Sequence, residues 1–124
     1  LDGTGQWVKG KSADTFAPLG PWLVSKDEIS DVQNLDLWLK LNGKTLQSSN
    51  TKQMIFGVDE LISYVSRYMT LLPGDVIATG TPFGVGLGLD PPLFLKAGDR
   101  MELGVAGLGK QNQNTVAWPG RNQH

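Results

Sequence analysis

The sequence predicts an α+β, β-rich fold, on three observations. Segments with strand character outnumber the single segment with helical character. They do not alternate as repeated strand–helix–strand units. Sixteen glycines and seven prolines in 124 residues supply many turns between short elements.

Residues 1–21 are rich in Gly and Pro and read as loop, with short strands expected around Trp7-Val8 and Trp22-Leu23-Val24. Ser25 to Ile29 is a brief turn. Leu35 to Leu41 has apolar residues at every second position, the period of a half-buried strand. Asn42-Gly43 follows at once, and both residues accept positive φ. A tight type I′ hairpin returning through Lys44-Thr45-Leu46 is the expected turn. The period then changes to 3.6, with Ile55, Val58, Leu61, Ile62 and Val65 on one side and Asp59, Glu60, Ser63 and Arg67 on the other. An amphipathic helix over Val58 to Tyr68 is therefore expected, ended by the Leu72-Pro73-Gly74 turn. Asp75 to Thr79 is short, apolar and β-branched, so a buried strand is expected there. Gly84 to Pro92 reads as a mobile or ligand-covering loop, Arg100 to Val105 as a strand and Thr115 to Trp118 as a last strand.

Hydrophobic residues at 40% and charged residues at 19% suit a globular chain with its own core. Eleven basic and twelve acidic residues leave no field to gather nucleic acid or an anionic membrane. Without cysteine, thiolate chemistry and Cys-based zinc sites are excluded. No run of about 18 apolar residues is present to span a bilayer, and the first residues lack the charged start and apolar stretch of a signal peptide. A cytoplasmic location is expected.

Two blocks carry possible chemistry. Lys11-Ser12-Ala13-Asp14-Thr15-Phe16 offers a cation and a hydroxyl, and Thr79-Gly80-Thr81-Pro82 offers two hydroxyls and glycine-freed backbone amides. A lysine fixed at a dry pocket wall can pair with a carboxylate or stabilise a developing enolate, and Thr15 can donate to the same oxygen. Gly80 lets backbone amides approach a ligand, and Pro82 restricts Thr81. Residue types alone leave the alternatives open: a surface lysine beside an Asx turn at Asp14, and an ordinary strand-ending turn. Gly84-Val85-Gly86-Leu87-Gly88 is not a dinucleotide motif, because the spacing is not GxGxxG and no strand–loop–helix unit surrounds it. Glu28, Asp59, Glu60 and Glu102 form no ligand spacing and read as solvated surface. His124, the only histidine, is terminal. Trp38 sits opposite the apolar stripe of its strand and is expected to cover a second packing surface.

Taken together, the residues resemble the C-terminal half of the fumarylacetoacetate hydrolase family. The resemblance runs through Gln6 to Val24, Gln33-Asn34-Leu35, Leu41-Asn42-Gly43, Asn50-Thr51, Met54-Ile55-Phe56, Ser66 to Thr70, Pro73 to Pro82 and Gly107-Leu108-Gly109. Gly10 to Phe16, and Gly84 to Gly88 with Pro91-Pro92, most resemble the 2,4-diketo-3-deoxy-sugar-acid hydrolases.

The resemblance implies a mixed, rolled, barrel-like sheet, here incomplete, with residues 1–124 forming the C-terminal part of a single catalytic domain. It implies a metal-dependent hydrolase that cleaves a C–C bond in a diketo acid of the diketo-deoxy-sugar-acid or acylpyruvate type. An isomerase, decarboxylase or lyase of the same family, or a non-catalytic β-rich assembly module, is the alternative. Lys11 matches the family's active-site lysine. Thr15 matches a threonine near the metal in some members, and Thr81, flanked by Thr79 and Gly80, matches a substrate-contacting threonine. The cofactor implied is Mg²⁺ or Mn²⁺, yet the family's Glu-x-Glu pair and Asp ligand correspond to sequence before Leu1, so no metal ligand is assigned in this chain. Asn112 and Asn114 stand where relatives carry basic residues, and the 118–124 tail is unlike a family ending. The partners expected are a small keto-acid substrate and further copies of the chain, as a homodimer or higher oligomer, with neither nucleic acid nor membrane. A piece of this kind is expected to be inactive alone.

Overall fold

In a computed structural model, the structure describes residues 5–118. It has the expected α+β, β-rich class, built on one open four-stranded antiparallel sheet in the order β2-β1-β3-β4. The strands are β1 (Asp36–Leu41), β2 (Lys44–Asn50), β3 (Arg100–Val105) and β4 (Gly109–Asn114), and two helices accompany them, α1 (Trp7–Lys11) and α2 (Val58–Ser66).

The first hairpin forms as its residue types demand. Asn42 and Gly43 have φ of 50° and 82°, the paired positive values of a type I′ turn. The Asn42 carboxamide donates to the Asp99 carboxylate at 2.9 Å and accepts from the Arg100 N–H at 2.9 Å, which fastens the turn to the start of β3. Leu39 pairs with Gln47 and Lys40 with Thr45, so Leu46 is an extra residue in β2, a β-bulge.

Register places Leu37, Leu39 and Leu41 beside Val105, Leu103 and Met101 on one face of the sheet. Residues 18–22 cover the β4 side of this face, where Gln111 donates to the Gly20 carbonyl and Trp22 lies against Gly109. On the opposite face the Trp38 ring lies over Gly104, and the Lys40 ammonium sits 5.4 Å from the ring centroid. The ring is half-buried.

The amphipathic helix is present, with Val58, Leu61 and Val65 half-buried. Its first N–H, that of Val58, donates to the Gln33 side chain at 2.7 Å, which occupies one donor left free at a helix start. The Leu72-Pro73-Gly74 turn also forms, with Gly74 at φ 99° and the Asp75 N–H donating to the Leu72 carbonyl.

Four expectations about local structure are corrected. Trp7-Val8 opens the short helix α1 rather than a strand. Trp22-Leu23-Val24 joins no strand, and neither does Asp75 to Thr79, where Val76 is 68% exposed rather than buried. An apolar β-branched run becomes a strand only when a neighbour satisfies its backbone groups, and neither segment has one among the described residues. The last strand is Gly109–Asn114, not Thr115 to Trp118. Its run of Lys, Gln and Asn carries no apolar alternation, whereas Gly107 and Gly109, at φ 77° and 85°, turn the chain back directly after β3.

Leu41 is the one hydrophobic side chain buried among the described residues, at 7% exposure. The chain exposes 10483 Å², about 1.6 times the roughly 6500 Å² of a folded monomer of its 13.4 kDa. No described helix is long and apolar enough to cross a membrane.

Candidate functional site

A cleft of about 440 Å³ opens along the edge of the sheet. Leu37 and Ser49 form its floor, Ile55, Phe56 and Leu61 form one wall, and the turn from Thr79 to Phe83 forms the other. The apolar walls supply surface, and the turn supplies polar donors.

The turn is built so that these donors are reachable. Gly80 adopts φ 98°, a conformation that side chains resist, and an added Cβ there would meet nothing within 4 Å. The backbone at Gly80 is therefore approachable. Thr79, Gly80 and Thr81 are all exposed. Gln47 of β2 donates its amide to the Thr81 hydroxyl at 2.9 Å and to the Pro82 carbonyl at 3.0 Å.

Behind Thr81, the loop expected to be mobile or to cover a ligand is packed onto β2. A Cβ on Gly84 would collide with the Leu46 carbonyl, so the backbone lies directly against the bulge. Gly86 is likewise pressed against the Leu93 carbonyl, and the Leu93 N–H donates to the Gly86 carbonyl at 2.9 Å. Leu46, Val85, Leu93 and Leu95 then line a smaller, open apolar recess of about 230 Å³ with Leu39 and Leu41.

Lys11 and Thr15 stand apart from this cleft and do not line it. The Lys11 ammonium lies 5.9 Å from the centroid of the Trp7 ring, one helical turn away. Thr15 closes a turn in which the Phe16 N–H donates to the Ala13 carbonyl at 3.1 Å. Its φ is 68°, a left-handed value that a β-branched residue adopts only under constraint. The second polar block thus converges on a cleft, and the first is exposed on a short helix and the turn after it.

Several residues within the resemblance have structural work. Gln33, besides holding α2, donates to the Thr51 carbonyl at 3.3 Å. The Thr51 hydroxyl donates to the Val32 carbonyl at 2.8 Å and accepts from the Leu35 N–H at 2.8 Å. Asn50 donates to the Asp36 carboxylate at 2.7 Å. Asn112 and Asn114 pair with Glu102 and Arg100 on the outer strand. Sequence reasoning missed Gln47, for which a polar residue in a hairpin strand facing Leu39 was the available signal.

Among the described residues, no three His, Cys, Asp or Glu side chains are grouped to hold a metal ion. Glu28 instead accepts from the Ser25 hydroxyl at 3.0 Å, and Glu102 lies 3.7 Å from Arg100. The donor set present does not fit a divalent cation. His124 and the tail after residue 118 lie outside the described residues.

The C-terminal model of the fumarylacetoacetate (FAA) hydrolase family matches residues 2–117, and the chain belongs to that family. A Burkholderia lata protein with a provisional hydrolase name is 60% identical over 112 residues, which cover 90% of this chain and 40% of that protein. The chain thus spans about two-fifths of the length of such relatives. Among solved structures, a fumarylacetoacetate hydrolase from Exiguobacterium antarcticum superposes with a TM-score of 0.85 at 42% identity, over 89% of this chain and 39% of its own. A maleylpyruvate hydrolase from Sphingobium sp. SYK-6, in complex with manganese(II) and pyruvate, gives 0.74 at 38% identity, over 83% and 36%. A 2-hydroxyhepta-2,4-diene-1,7-dioate isomerase from Mycobacterium marinum gives 0.78 at 39% identity, over 90% and 40%. Hydrolases and isomerases thus share this architecture.

Proposed function

We propose that this chain forms the substrate-facing wall of a hydrolase that cleaves a C–C bond in a diketo acid of the acylpyruvate or diketo-deoxy-sugar-acid type. The observation that carries the reading is the exposed Thr79-Gly80-Thr81 turn at the cleft, in a chain matched by the hydrolase family model over residues 2–117. The Thr81 hydroxyl and the backbone freed by Gly80 donate to the substrate's carboxylate, and Ile55 and Phe56 cover its carbon chain. Lys11 pairs with an oxygen of the same substrate, and Thr15 donates beside it.

That role requires residues 5–16 to approach the cleft when the catalytic domain is complete. Helix α1 has five residues and buries none of them, and a helix this short is marginal by itself. The divalent cation of the intact enzyme, Mg²⁺ or Mn²⁺, is assigned to carboxylates outside residues 5–118. The manganese bound by the Sphingobium relative supports a cation of this kind.

Hydrolysis of an acylpyruvate adds water across the cleaved bond and leaves a carboxylic acid and pyruvate. Pyruvate is therefore the smallest probe of the turn. Titrated into the ¹⁵N-labelled chain, it is expected to move the amides of Gly80 and Thr81, and T81V is expected to weaken its binding about fivefold, the worth of one hydrogen bond. Shifts confined to residues away from 79–83 would defeat the reading. An isomerase reading draws on the Mycobacterium relative and uses the same donors. Product analysis of the enzyme containing this chain separates the two, since an isomerase releases one product of unchanged mass.

A further inference from the structure

We propose that Gln47 is a positioning residue that fixes the Thr81 hydroxyl as a hydrogen-bond donor, and so selects an acceptor oxygen as the ligand atom at the turn. The inference deepens the proposed function and rests on its placing of substrate at Thr81.

The Gln47 side-chain nitrogen faces three acceptors: the Thr81 hydroxyl oxygen at 2.9 Å, the Pro82 carbonyl at 3.0 Å and the Phe83 carbonyl at 3.4 Å. Two of these are carbonyls, which accept only. The amide must therefore turn its nitrogen toward them, because the opposite orientation would set oxygen against oxygen. A hydroxyl that accepts from Gln47 keeps its own hydrogen to give away. The protein acceptor nearest that hydrogen is the Pro82 carbonyl at 3.4 Å, long and already engaged by Gln47. The better use of the hydrogen is an oxygen entering the cleft. One lone pair of the hydroxyl stays open to a donor, but only an acceptor oxygen takes up the uncommitted hydrogen.

The bulge in β2 makes the arrangement possible. By adding Leu46 it puts the Leu46 carbonyl against Gly84 and the Gln47 side chain beneath residues 81–83. Bulges commonly re-aim side chains in this way. A half-buried glutamine on an edge strand thus clasps an exposed turn at both ends.

The test uses side-chain chemistry rather than size alone. Three-bond couplings of the Thr81 methyl carbon report its χ1 rotamer in the full chain, and dispersed amides of Asp36–Leu41 and Arg100–Val105 certify the fold of each variant. A single rotamer is expected for the wild type and for Q47K, whose ammonium carries donors only. Rotamer averaging is expected for Q47L, which has no polar atom, whereas Q47E, which has acceptors only, takes the hydroxyl hydrogen for itself and is expected to weaken pyruvate binding. Pyruvate is expected to bind Q47L about fivefold more weakly than wild type.

A single Thr81 rotamer in Q47L, averaging in Q47K, or wild-type pyruvate affinity in Q47E would each overturn the assignment. Should the variants fail to fold, the wild type decides: slow exchange of the Gln47 carboxamide protons supports the clasp, and exchange at the free-amide rate refutes it. If pyruvate leaves Gly80 and Thr81 unmoved, the functional reading falls, while the couplings still judge Gln47.

Discussion

Asp99 holds two parts of the chain at once. One carboxylate oxygen accepts from the Asn42 side chain at 2.9 Å, and the other accepts from the Lys96 N–H at 2.7 Å. These bonds, that from Asn42 foremost, lower its pKa below the ordinary 3.8. A folded-state pKa below the unfolded one means that the unfolded chain takes up the proton first as acid is added. The contribution is complete above the unfolded value and is lost as pH falls through the folded value. Urea midpoints of the wild type are therefore expected to fall on acidification from pH 5 to 3. D99N, whose neutral amide sets an N–H toward Lys96, starts lower and declines less over that range. Equal declines would remove Asp99 from the account.

At the scale of elements, β1 is an inner strand, paired with β2 on one side and β3 on the other. Leu41 ends β1 and is the buried hydrophobic side chain of the sheet, so L41A is expected to cost about 2–3 kcal/mol by chemical unfolding. A value under about 1 kcal/mol would mean that the sheet tolerates the loss of its best-packed side chain. The docking of the 79–86 loop on β2 makes a separable prediction. Gly84 has φ 97° and lies against the Leu46 carbonyl, so both conformation and space forbid a side chain. G84A is expected to release the loop while the sheet stays intact, seen as amide shifts at residues 79–86 with those of β1 and β3 unchanged. Unchanged loop amides in G84A would show that the contact with β2 is dispensable.

The whole molecule exposes about 4000 Å² more than a folded monomer of its 13.4 kDa. Ile55 is 91% exposed and Leu23 97%, and β2 and β4 are open edges of the sheet. Apolar surface of this extent, beside unpaired strand edges, drives association. A single standard interface covers about 800 Å² per partner, so dimerisation by one such contact leaves most of the excess uncovered. Light scattering is expected to find dimers or larger species, and a monodisperse monomer would count against this. Calorimetry on the chain alone is expected to find only weak Mg²⁺ binding and no turnover of an acylpyruvate. Micromolar affinity would mean that a carboxylate set assembles here after all.

What the sequence determined alone was local. The alternation of Leu35 to Leu41, the Asn42-Gly43 turn, the helix from Val58 and the Pro73-Gly74 turn were legible, because their causes lie within a few bonds: side-chain period and tolerated φ. Family membership was legible as well, since the matching residues occur in order along nearly the whole chain. The tertiary structure alone decided that Asp75 to Thr79 is no strand, that β4 begins at Gly109, and that Thr81 shares a cleft with Ile55 and Phe56 while Lys11 stacks on Trp7. It also revealed Gln47 beneath Thr81, 34 residues away. Strand pairing and the convergence of distant side chains depend on which surfaces meet, and no local pattern of residues encodes that.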